Sequence, residues 1–322
     1  MSAATEHTYT LADLEYWPNE IPDWPSDGTA LAVLGCPIEH SLSPAMHNAA
    51  LAELAAKCDS RFENWRYYKF RIEPEELPAA LTKFRQQKFL GLNLTVPHKV
   101  LALQHINLQV QQDFVREMGA ANTLKNINDE WYGYNTDGPG LVEALRFEFP
   151  SLNLQDANII ILGAGGAVRA AAVMCLGKCA SLQIGSRSAK ARGELINFLQ
   201  THTVPRHHNS EVIVEGFDLA HPSSDLREGS IIINATSLGL KPGDGSPLDL
   251  SKIPTPAFVY DMIYNPPQTA LLKQAADSKI PHANGLSMLV FQGASALKHW
   301  TGQQPPISVM MAAARAALAN SH

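Results

Sequence analysis

The sequence predicts an α/β protein with two α/β domains in series and a cleft between them, the second domain being of the Rossmann type. Three observations predict this fold. The chain has 322 residues, which is enough for about two domains. Apolar runs of strand length alternate with helical patterns, which favours parallel βα units over hairpins. A glycine-rich turn between a strand and a helix begins at Gly163, close to the point where this alternation restarts.

The composition argues against several other classes of protein. Hydrophobic residues make up 45% of the chain and charged residues 17%, so a sizeable core is available. A net charge of −6 makes nucleic acid or an anionic membrane an unexpected main partner. There is no leader peptide pattern and no apolar run of bilayer length. Four scattered cysteines predict reduced thiols in a cytoplasmic protein and no metal site; they are Cys36, Cys58, Cys175 and Cys179.

The first domain is predicted over residues 29–137. Residues 1–28 are acidic and proline-rich, and they are predicted to be an extension laid over a surface. Strands and helices then alternate, beginning with a strand, at 30–35, 44–55, 65–72, 74–86 and 89–96. Glycine and asparagine residues mark turns between the last of these elements and the end of the domain.

The second domain is predicted over residues 138–284, and it begins with a helix at 138–149. After a polar stretch the strands and helices resume. Strand-containing segments are predicted at 158–162, 180–187, 229–240 and 257–264. One helix is predicted directly after the glycine turn, and two more at 189–200 and 269–279. Two C-terminal helices, within 285–322, are predicted to pack back on the N-terminal domain.

The glycine turn is the strongest local signal. It follows an apolar strand and opens a helix, so backbone N–H groups can approach a pyrophosphate without obstruction by a Cβ atom. Val168 stands where the pattern GxGxxG has its third glycine. A tight turn without a ligand is the alternative interpretation. The predicted cofactor-binding residues of this turn are Gly163, Ala164, Gly165, Gly166 and Ala167.

The residues after the second strand of this unit distinguish between cofactors. NAD enzymes place Asp or Glu there to bind the ribose 2′-hydroxyl. This chain has Ser186, Arg187, Ser188 and Lys190 instead. Cations and hydroxyls attract a 2′-phosphate, so NADP(H) is predicted as the cofactor. The alternative is that the two charges are ordinary solvated side chains.

Polar side chains cluster near the predicted strand ends of the first domain. They include hydroxyls, amides, one ammonium and one carboxylate, which suit a small, polyhydroxylated, anionic ligand. These residues are Ser41, Ser43, Asn93, Thr95, Lys99, Asn122, Asn135 and Asp137.

Together with motifs of the second domain, these residues resemble the shikimate dehydrogenase family. The resemblance runs from about Leu31 to the C-terminal helices. It rests on eight motifs in the family's order: HSLSPAMHN, NLTVPHK, GAANTL, YNTDGPG, GAGGA, INATSLG, YDMIY and GLSMLVFQ. The resemblance implies reversible, NADPH-dependent reduction of 3-dehydroshikimate to shikimate, a step toward chorismate and the aromatic amino acids, by a monomer or homodimer.

The resemblance also implies roles for individual residues. Lys99 and Asp137 would handle the proton, and as neighbouring charges they would titrate as a coupled pair. Ser41 and Ser43 would bind the substrate carboxylate. The other substrate contacts would be Thr95, Asn122, Asp137, Tyr264 and Gln292. Further cofactor contacts would be Asp113, Thr236, Met262 and Gly285, with the last two at the nicotinamide end.

Four positions depart from the family pattern. Ser186 replaces a common Asn, and Ala191 stands where a second arginine often lies; Lys190 or Arg192 could substitute for that arginine, with a weaker preference for NADP than is typical of the family. Asn284 and Ser287 replace an Asp and a Gly near the cofactor-facing helix.

Several candidate residues also have structural explanations. Asp137, Ser41 and Ser43 could cap helices, and Lys99 could be a solvated lysine at a helix start. Three histidines lack metal-ligand spacing and are expected on the surface or in loops; they are His40, His47 and His98.

Two functional alternatives remain open. One is a quinate dehydrogenase or a dual-specificity quinate/shikimate dehydrogenase, although a serine at position 43 is the shikimate-type residue. The other is a non-catalytic NADP-binding protein, against which the presence of both Lys99 and Asp137 argues.

Overall fold

The computed structural model describes residues 6–19, 21, 27–57, 59–107, 113–176, 178–203, 212–222 and 226–320. The chain forms two compact units. The first unit consists of Met1–Thr136 with Val290–His322, and the second of Asp137–Leu289. The functional roles of the two predicted domains remain predictions. No helix among the described residues is long and apolar enough to cross a membrane.

The strands are given in chain order. Those of the first unit are β1 (Thr8–Thr10), β2 (Thr29–Gly35), β3 (Trp65–Arg71), β4 (Gly91–Leu94), β5 (Thr123–Ile127) and β6 (Glu130–Tyr134). Those of the second unit are β7 (Asn158–Leu162), β8 (Ser181–Gly185), β9 (Ile213–Phe217), β10 (Ile231–Asn234), β11 (Phe258–Asp261) and β12 (His282–Asn284).

The α-helices are likewise numbered along the chain. They are α1 (Ser43–Lys57), α2 (Leu77–Gln86), α3 (His98–Leu101), α4 (Asp113–Met118), α5 (Asp137–Glu148), α6 (Gly166–Cys175), α7 (Ala189–Phe198), α8 (Ala270–Asp277), α9 (Leu286–Thr301) and α10 (Ile307–Ala319). Helices α1 and α10 pack against each other in the first unit. Every helix predicted from the sequence is confirmed, with ends that differ by a few residues.

The sheet of the first unit is mixed. Its strand order is β1-β3-β2-β4-β5-β6. The first four strands in this order are parallel neighbours, whereas β5 runs antiparallel to both β4 and β6. The expectation of βα units without hairpins is therefore wrong for β5 and β6. The turn between them has Asn128 at φ 52° and Asp129 at φ 62°, the left-handed pair that joins two antiparallel strands tightly.

The N-terminal segment, which is predicted only to lie over a surface, also forms part of the sheet and the core of the first unit. Its strand β1 pairs with β3 and extends the sheet. Beyond β1, Leu14, Trp17 and Ile21 are buried in the core of the first unit. The Trp17 indole lies edge-on to the Tyr68 ring, with 4.8 Å between ring centroids. Residues 8–19 and 21 therefore contribute both a strand and core side chains.

The second unit has a parallel sheet in the order β12-β11-β10-β7-β8-β9. Chain order runs outward in both directions from β7, which is the Rossmann arrangement predicted from the sequence. The point between β7 and β10 where the direction reverses is where such sheets bind ligands. Strands β9 and β12 are additional to the prediction. Both lie at sheet edges, and β9 exposes Ile213, Glu215 and Gly216, so neither has a buried-strand pattern.

Candidate functional site

Ser41 and Ser43 lie at the start of α1, after the loop that follows β2. The backbone N–H of Ser43 donates to the Ser41 hydroxyl at 3.3 Å, so Ser41 helps to start the helix, as the capping interpretation holds. The Ser43 side chain is buried, and its hydroxyl lies beside the phenol of Tyr67. Ser41 is half-buried, so helix capping leaves its hydroxyl accessible to a ligand.

Asn122 is held in a buried network of hydrogen bonds. Its carboxamide oxygen accepts from the backbone N–H of Thr136 at 2.7 Å. Its nitrogen donates to the Thr136 hydroxyl at 2.9 Å and to Gln292 Oε1 at 3.3 Å. Asn122 and Gln292 lie 170 positions apart in the chain, and the fold brings these two predicted substrate contacts together.

The same network continues through Asn93, on β4. Asn93 Nδ2 donates to the carbonyl oxygen of Asn122 at 3.1 Å and to the Thr123 hydroxyl at 3.0 Å. Because the nitrogen has donated both protons, Asn93 Oδ1 is the acceptor, and the Tyr67 hydroxyl donates to it at 2.8 Å. Ser43 lies beside the same phenol, so the hydrogen bonds of Tyr67 and Asn93 connect the surroundings of the serine pair with Asn122.

Thr95 and Lys99 lie on the connection that leaves β4. The N–H of Thr95 donates to the carbonyl of Leu34 at 2.9 Å, one residue beyond the pairing of β2 with β4. The carbonyl of Thr95 accepts from His98 N at 2.8 Å, next to the one-turn helix α3 that carries Lys99. Lys99 is half-buried. Strand, turn and short helix therefore hold Thr95 and Lys99 close to each other at the end of β4.

Asp137 is the first residue of α5 and belongs to the second unit. A carboxylate in the first turn of a helix is favoured by the helix dipole, which is consistent with its structural interpretation as a helix-start residue. Lys99 belongs to the first unit. The pairing of Lys99 with Asp137 therefore remains a prediction.

The expectation for two of the histidines is wrong. His40 is exposed, as expected, but His47 and His98 are fully buried. His47 lies on the inward face of α1, and its ring stacks on Tyr67 with 4.2 Å between centroids. His98 Nε2 lies 2.8 Å from the carbonyl oxygen of Ile72. Burial lowers the pKa of both imidazoles, that of His47 to about 3, so both rings are neutral at neutral pH.

The glycine turn of the second unit forms an open cradle at the start of α6. Gly163 has φ +117°, which favours glycine, and a Cβ there would lie 2.8 Å from Val168 Cγ2. Val168, which replaces the third glycine, thus packs over the first one. Around Gly165 and Gly166 there is open space where a Cβ would project, and no side chain caps the helix. The first N–H groups of α6 are therefore available to a pyrophosphate. Ala164 and Ala167 complete this turn.

The predicted 2′-phosphate residues follow β8. The Ser186 hydroxyl is buried and accepts from the N–H of Ser188 at 3.2 Å, and Ser188 caps α7 through the N–H of Ala191, also at 3.2 Å. Arg187 and Lys190 are exposed. This turn places two hydroxyls and two cations beside the C-terminal end of the second strand of the βαβ unit, which is where the cofactor ribose binds in this fold.

A buried carboxylate fixes the ends of β10 and β11. Asp261 accepts from Asn234 Nδ2 at 3.0 Å, from the N–H of Ile263 at 3.0 Å and from the Thr269 hydroxyl at 2.7 Å. Burial raises the pKa of this carboxyl. Asn234 in turn accepts from the N–H and the hydroxyl of Thr236 at 3.0 and 2.8 Å. Thr236 is thus held immediately after β10, at the switch point of the sheet.

Met262 and Gly285 are brought into contact. A Cβ on Gly285 would lie 2.0 Å from the Met262 carbonyl oxygen, so only glycine fits there. The N–H of Gly285 donates to the carbonyl of Ile263 at 3.1 Å. Tyr264 follows on the same segment, and burial raises the pKa of its phenol. Three residues predicted near the nicotinamide and substrate end therefore share one loop region of the second unit.

The two departures near α9 have structural explanations. Asn284 Oδ1 accepts from the N–H of Leu286 at 3.1 Å, so it starts α9 as an aspartate would. The Ser287 hydroxyl is buried and lies 3.2 Å from the hydroxyl of Tyr260. Asp113 begins α4, but its side chain, like Cys58, lies outside the described part of the structure.

Four polar residues of these networks are not predicted from the sequence: Tyr67, Thr123 and Thr136 in the first unit and Asp261 in the second. Thr123, Thr136 and Asp261 stand inside the motifs GAANTL, YNTDGPG and YDMIY, which are a signal that could have identified them. Tyr67 carries no such signal, because alternation on a strand does not reveal which buried tyrosine has a polar partner.

Comparison with known proteins gives consistent matches. Family models match the shikimate dehydrogenase substrate binding domain over residues 33–124 and the shikimate 5′-dehydrogenase C-terminal domain over residues 285–315. A shikimate dehydrogenase (NADP(+)) from Methanococcoides burtonii is 36% identical over 279 residues, or 87% of this chain and 94% of that protein.

Solved structures agree with these matches. A crystal structure of shikimate dehydrogenase in complex with NADP+ has a TM-score of 0.79 at 32% identity, covering 91% of this chain and 97% of that one. The shikimate 5-dehydrogenase of Thermus thermophilus, in complex with NADP(H) and shikimate, has a TM-score of 0.75 at 32% identity, with 90% and 99% covered.

Proposed function

The chain belongs to the shikimate dehydrogenase family, and we propose that it catalyses the reversible reduction of 3-dehydroshikimate to shikimate with NADPH. The observation that carries this proposal is the buried network of the first unit. It presents Ser43, Asn122 and Gln292, three polar side chains predicted to bind substrate, in one connected arrangement. A set of fixed hydroxyls and amides suits the hydroxyl-rich ring of shikimate.

The substrate contacts follow from this arrangement. Ser41 and Ser43 bind the carboxylate at the start of α1, where the helix dipole also favours an anion. Asn122 and Gln292 bind ring hydroxyls. Their amides are already fixed by neighbours, so little side-chain freedom is lost when the substrate binds. Thr95 adds a hydroxyl from the end of β4, and Tyr264 of the second unit remains a predicted substrate contact.

Lys99 and Asp137 manage the proton. Reduction of a ketone requires a proton on the carbonyl oxygen, and the Lys99 ammonium donates it while stabilising the charge that develops there. In the oxidative direction the neutral amine accepts the hydroxyl proton. Asp137 orients the ammonium and stabilises its charge.

The cofactor is held by the second unit. The cradle at Gly165 and Gly166 fits a pyrophosphate, because a Cβ at either position would project into open space and the N–H groups of α6 are uncapped. Ser186, Arg187, Ser188 and Lys190 suit a 2′-phosphate. NADPH supplies the hydride when bound. Thr236, Met262 and Gly285 hold the segments beside the nicotinamide, and Asp113 remains a predicted neighbour of the cofactor.

The proposed enzyme works in the cytoplasm as a monomer or homodimer. Three described cysteines, Cys36, Cys175 and Cys179, are free thiols, which suits a reducing compartment.

The proposal is tested by following the absorbance of the reduced cofactor, NADPH or NADH, with four pairs of substrate and cofactor: shikimate or quinate, each with NADP+ or NAD+. We expect shikimate with NADP+ to give the highest kcat/KM, by at least about tenfold over quinate with either cofactor. A higher kcat/KM for quinate with NAD+ would replace the proposal with the quinate dehydrogenase alternative. No turnover with any pair, despite NADPH binding, would indicate a non-catalytic binding protein.

A further inference from the structure

The second unit has a third basic residue beside β8, Arg192, and its side chain is held by more contacts than those of Arg187 and Lys190. Arg192 lies in the first turn of α7, and its guanidinium Nη1 donates to the carbonyl oxygen of Ser186. Ser186 is the residue directly after β8. The guanidinium is therefore fixed at the C-terminal end of this strand, on the backbone of the turn predicted to receive the 2′-phosphate.

The stem of Arg192 crosses the neighbouring edge strand. It passes over Gly216 of β9, which pairs with Ile184 of β8. A Cβ on Gly216 would lie 2.9 Å from Arg192 Cδ, 3.0 Å from Arg192 Cγ and 2.4 Å from Ile196 Cδ1. Gly216 has no left-handed φ that would require glycine. The absence of a side chain at position 216 therefore serves to admit the side chains of α7, Arg192 among them.

Lys190 lacks these constraints. Its side chain is 87% exposed, and its ammonium lies 4.0 Å from the carboxylate of Glu194. An ammonium on a mobile stem loses more conformational freedom on binding than a guanidinium whose stem is packed and whose orientation is set by a carbonyl. Arg192 has five N–H donors, so the bond to Ser186 leaves others for a phosphate.

We propose that Arg192 is a specificity-determining residue for the 2′-phosphate of NADP(H). We also propose that the glycine at position 216 leaves the space that the Arg192 side chain occupies. This inference rests on the proposed function for the choice of cofactor. It assigns the discrimination between NADP(H) and NAD(H) mainly to Arg187 and Arg192, with Lys190 contributing less.

The test uses half-cofactors, which contain no nicotinamide and need no turnover. Dissociation constants of 2′,5′-ADP and of 5′-AMP are measured by calorimetry for the full-length wild type, Arg192→Gln, Lys190→Gln and Gly216→Ala. For Arg192→Gln we expect about tenfold weaker binding of 2′,5′-ADP, with AMP binding changed less than about twofold. Gly216→Ala removes no charge but displaces the arginine stem, so it should weaken 2′,5′-ADP binding in the same selective way. Lys190→Gln should have a smaller effect than Arg192→Gln.

Arg227→Gln is the matched control. Arg227 lies in the same unit, where it donates to Asn158 Oδ1 at 3.1 Å. Asn158 is at the N-terminal end of β7, whereas Arg192 lies at the C-terminal ends of the strands. The Arg227→Gln variant should bind both nucleotides as the wild type does. The inference is overturned if Arg192→Gln keeps the wild-type preference for 2′,5′-ADP, or if it loses AMP binding equally. A wild type that shows no preference for 2′,5′-ADP would overturn the NADP(H) assignment itself, and with it this inference.

Discussion

Asn122 shows how the structure orients a residue that is proposed to bind substrate. Its amide is buried, and a buried polar group without a partner costs about 1–3 kcal/mol. The contacts with Thr136 and Gln292 remove that cost and fix which end of the amide is the donor. A residue oriented in this way can distinguish a hydroxyl donor from an acceptor, which is the discrimination that a polyhydroxylated ligand requires.

His47 leads to a prediction for the pH dependence of stability. Burial lowers the pKa of His47 to about 3, whereas a histidine in the unfolded chain titrates near 6.5. Between these values the unfolded state binds a proton that the folded state does not. The free energy of unfolding therefore falls as the pH decreases from about 6.5 toward 3, by at most about 1.4 kcal/mol per pH unit from this residue.

The variant His47→Phe keeps a ring to stack on Tyr67 and removes this titration. Urea unfolding at several pH values between 7 and 4 should show that the variant loses stability less steeply than the wild type. The other buried histidine of the described residues, His98, is present in both proteins, so its contribution cancels in the difference. Parallel curves for the two proteins would show that His47 does not titrate as its burial implies.

At the scale of elements, the N-terminal segment contributes more to stability than its sequence indicates. Tyr16 and Trp17 are neighbours with opposite environments: the first is 57% exposed and the second 4%. Trp17 packs among aromatic rings that β3 and the loop before β4 provide, including Tyr68 at 4.8 Å and Phe89 at 5.0 Å between centroids. The segment that carries β1 is therefore part of the first unit's core.

We expect Trp17→Ala to lower the free energy of unfolding by about 3–5 kcal/mol, because it leaves a cavity in an aromatic cluster. Tyr16→Ala, the matched control, should change it by less than about 0.5 kcal/mol. Denaturant unfolding measures both. A Trp17→Ala protein as stable as the control would mean that the segment only covers a surface.

The elements that could be predicted from the sequence are those whose pattern is local. The glycine turn, the apolar run of β7 and the amphipathic helices are of this kind. Strands β1, β9 and β12 are short and lie at sheet edges, so they have little apolar pattern of their own and depend on a neighbouring strand. The hairpin of β5 and β6 is not predicted, because its turn, Asn128–Asp129, lacks the glycine that usually marks a two-residue hairpin turn.

At the scale of the whole molecule, the two units divide the proposed work. The first unit holds most of the proposed substrate contacts and Lys99, and the second holds the proposed nucleotide cradle, Arg192, Tyr264 and Asp137. The identity of most of these residues was predictable because they stand in motifs. Their partners were not, because contacts such as Asn122 with Gln292 join distant parts of the chain, and no local pattern specifies such a pairing.

The most direct test of the central claim is the turnover of Lys99→Ala with shikimate and NADP+, measured together with NADPH binding by fluorescence. Lys88→Ala is the matched control, since Lys88 is a 71% exposed lysine of the same unit. We expect Lys99→Ala to lower kcat by about 10²–10⁴-fold, while the KM for shikimate and the Kd for NADPH stay close to wild type, because only proton transfer is lost. The control should retain wild-type kinetics. Near-full turnover of Lys99→Ala would contradict the assignment of Lys99 as the proton donor.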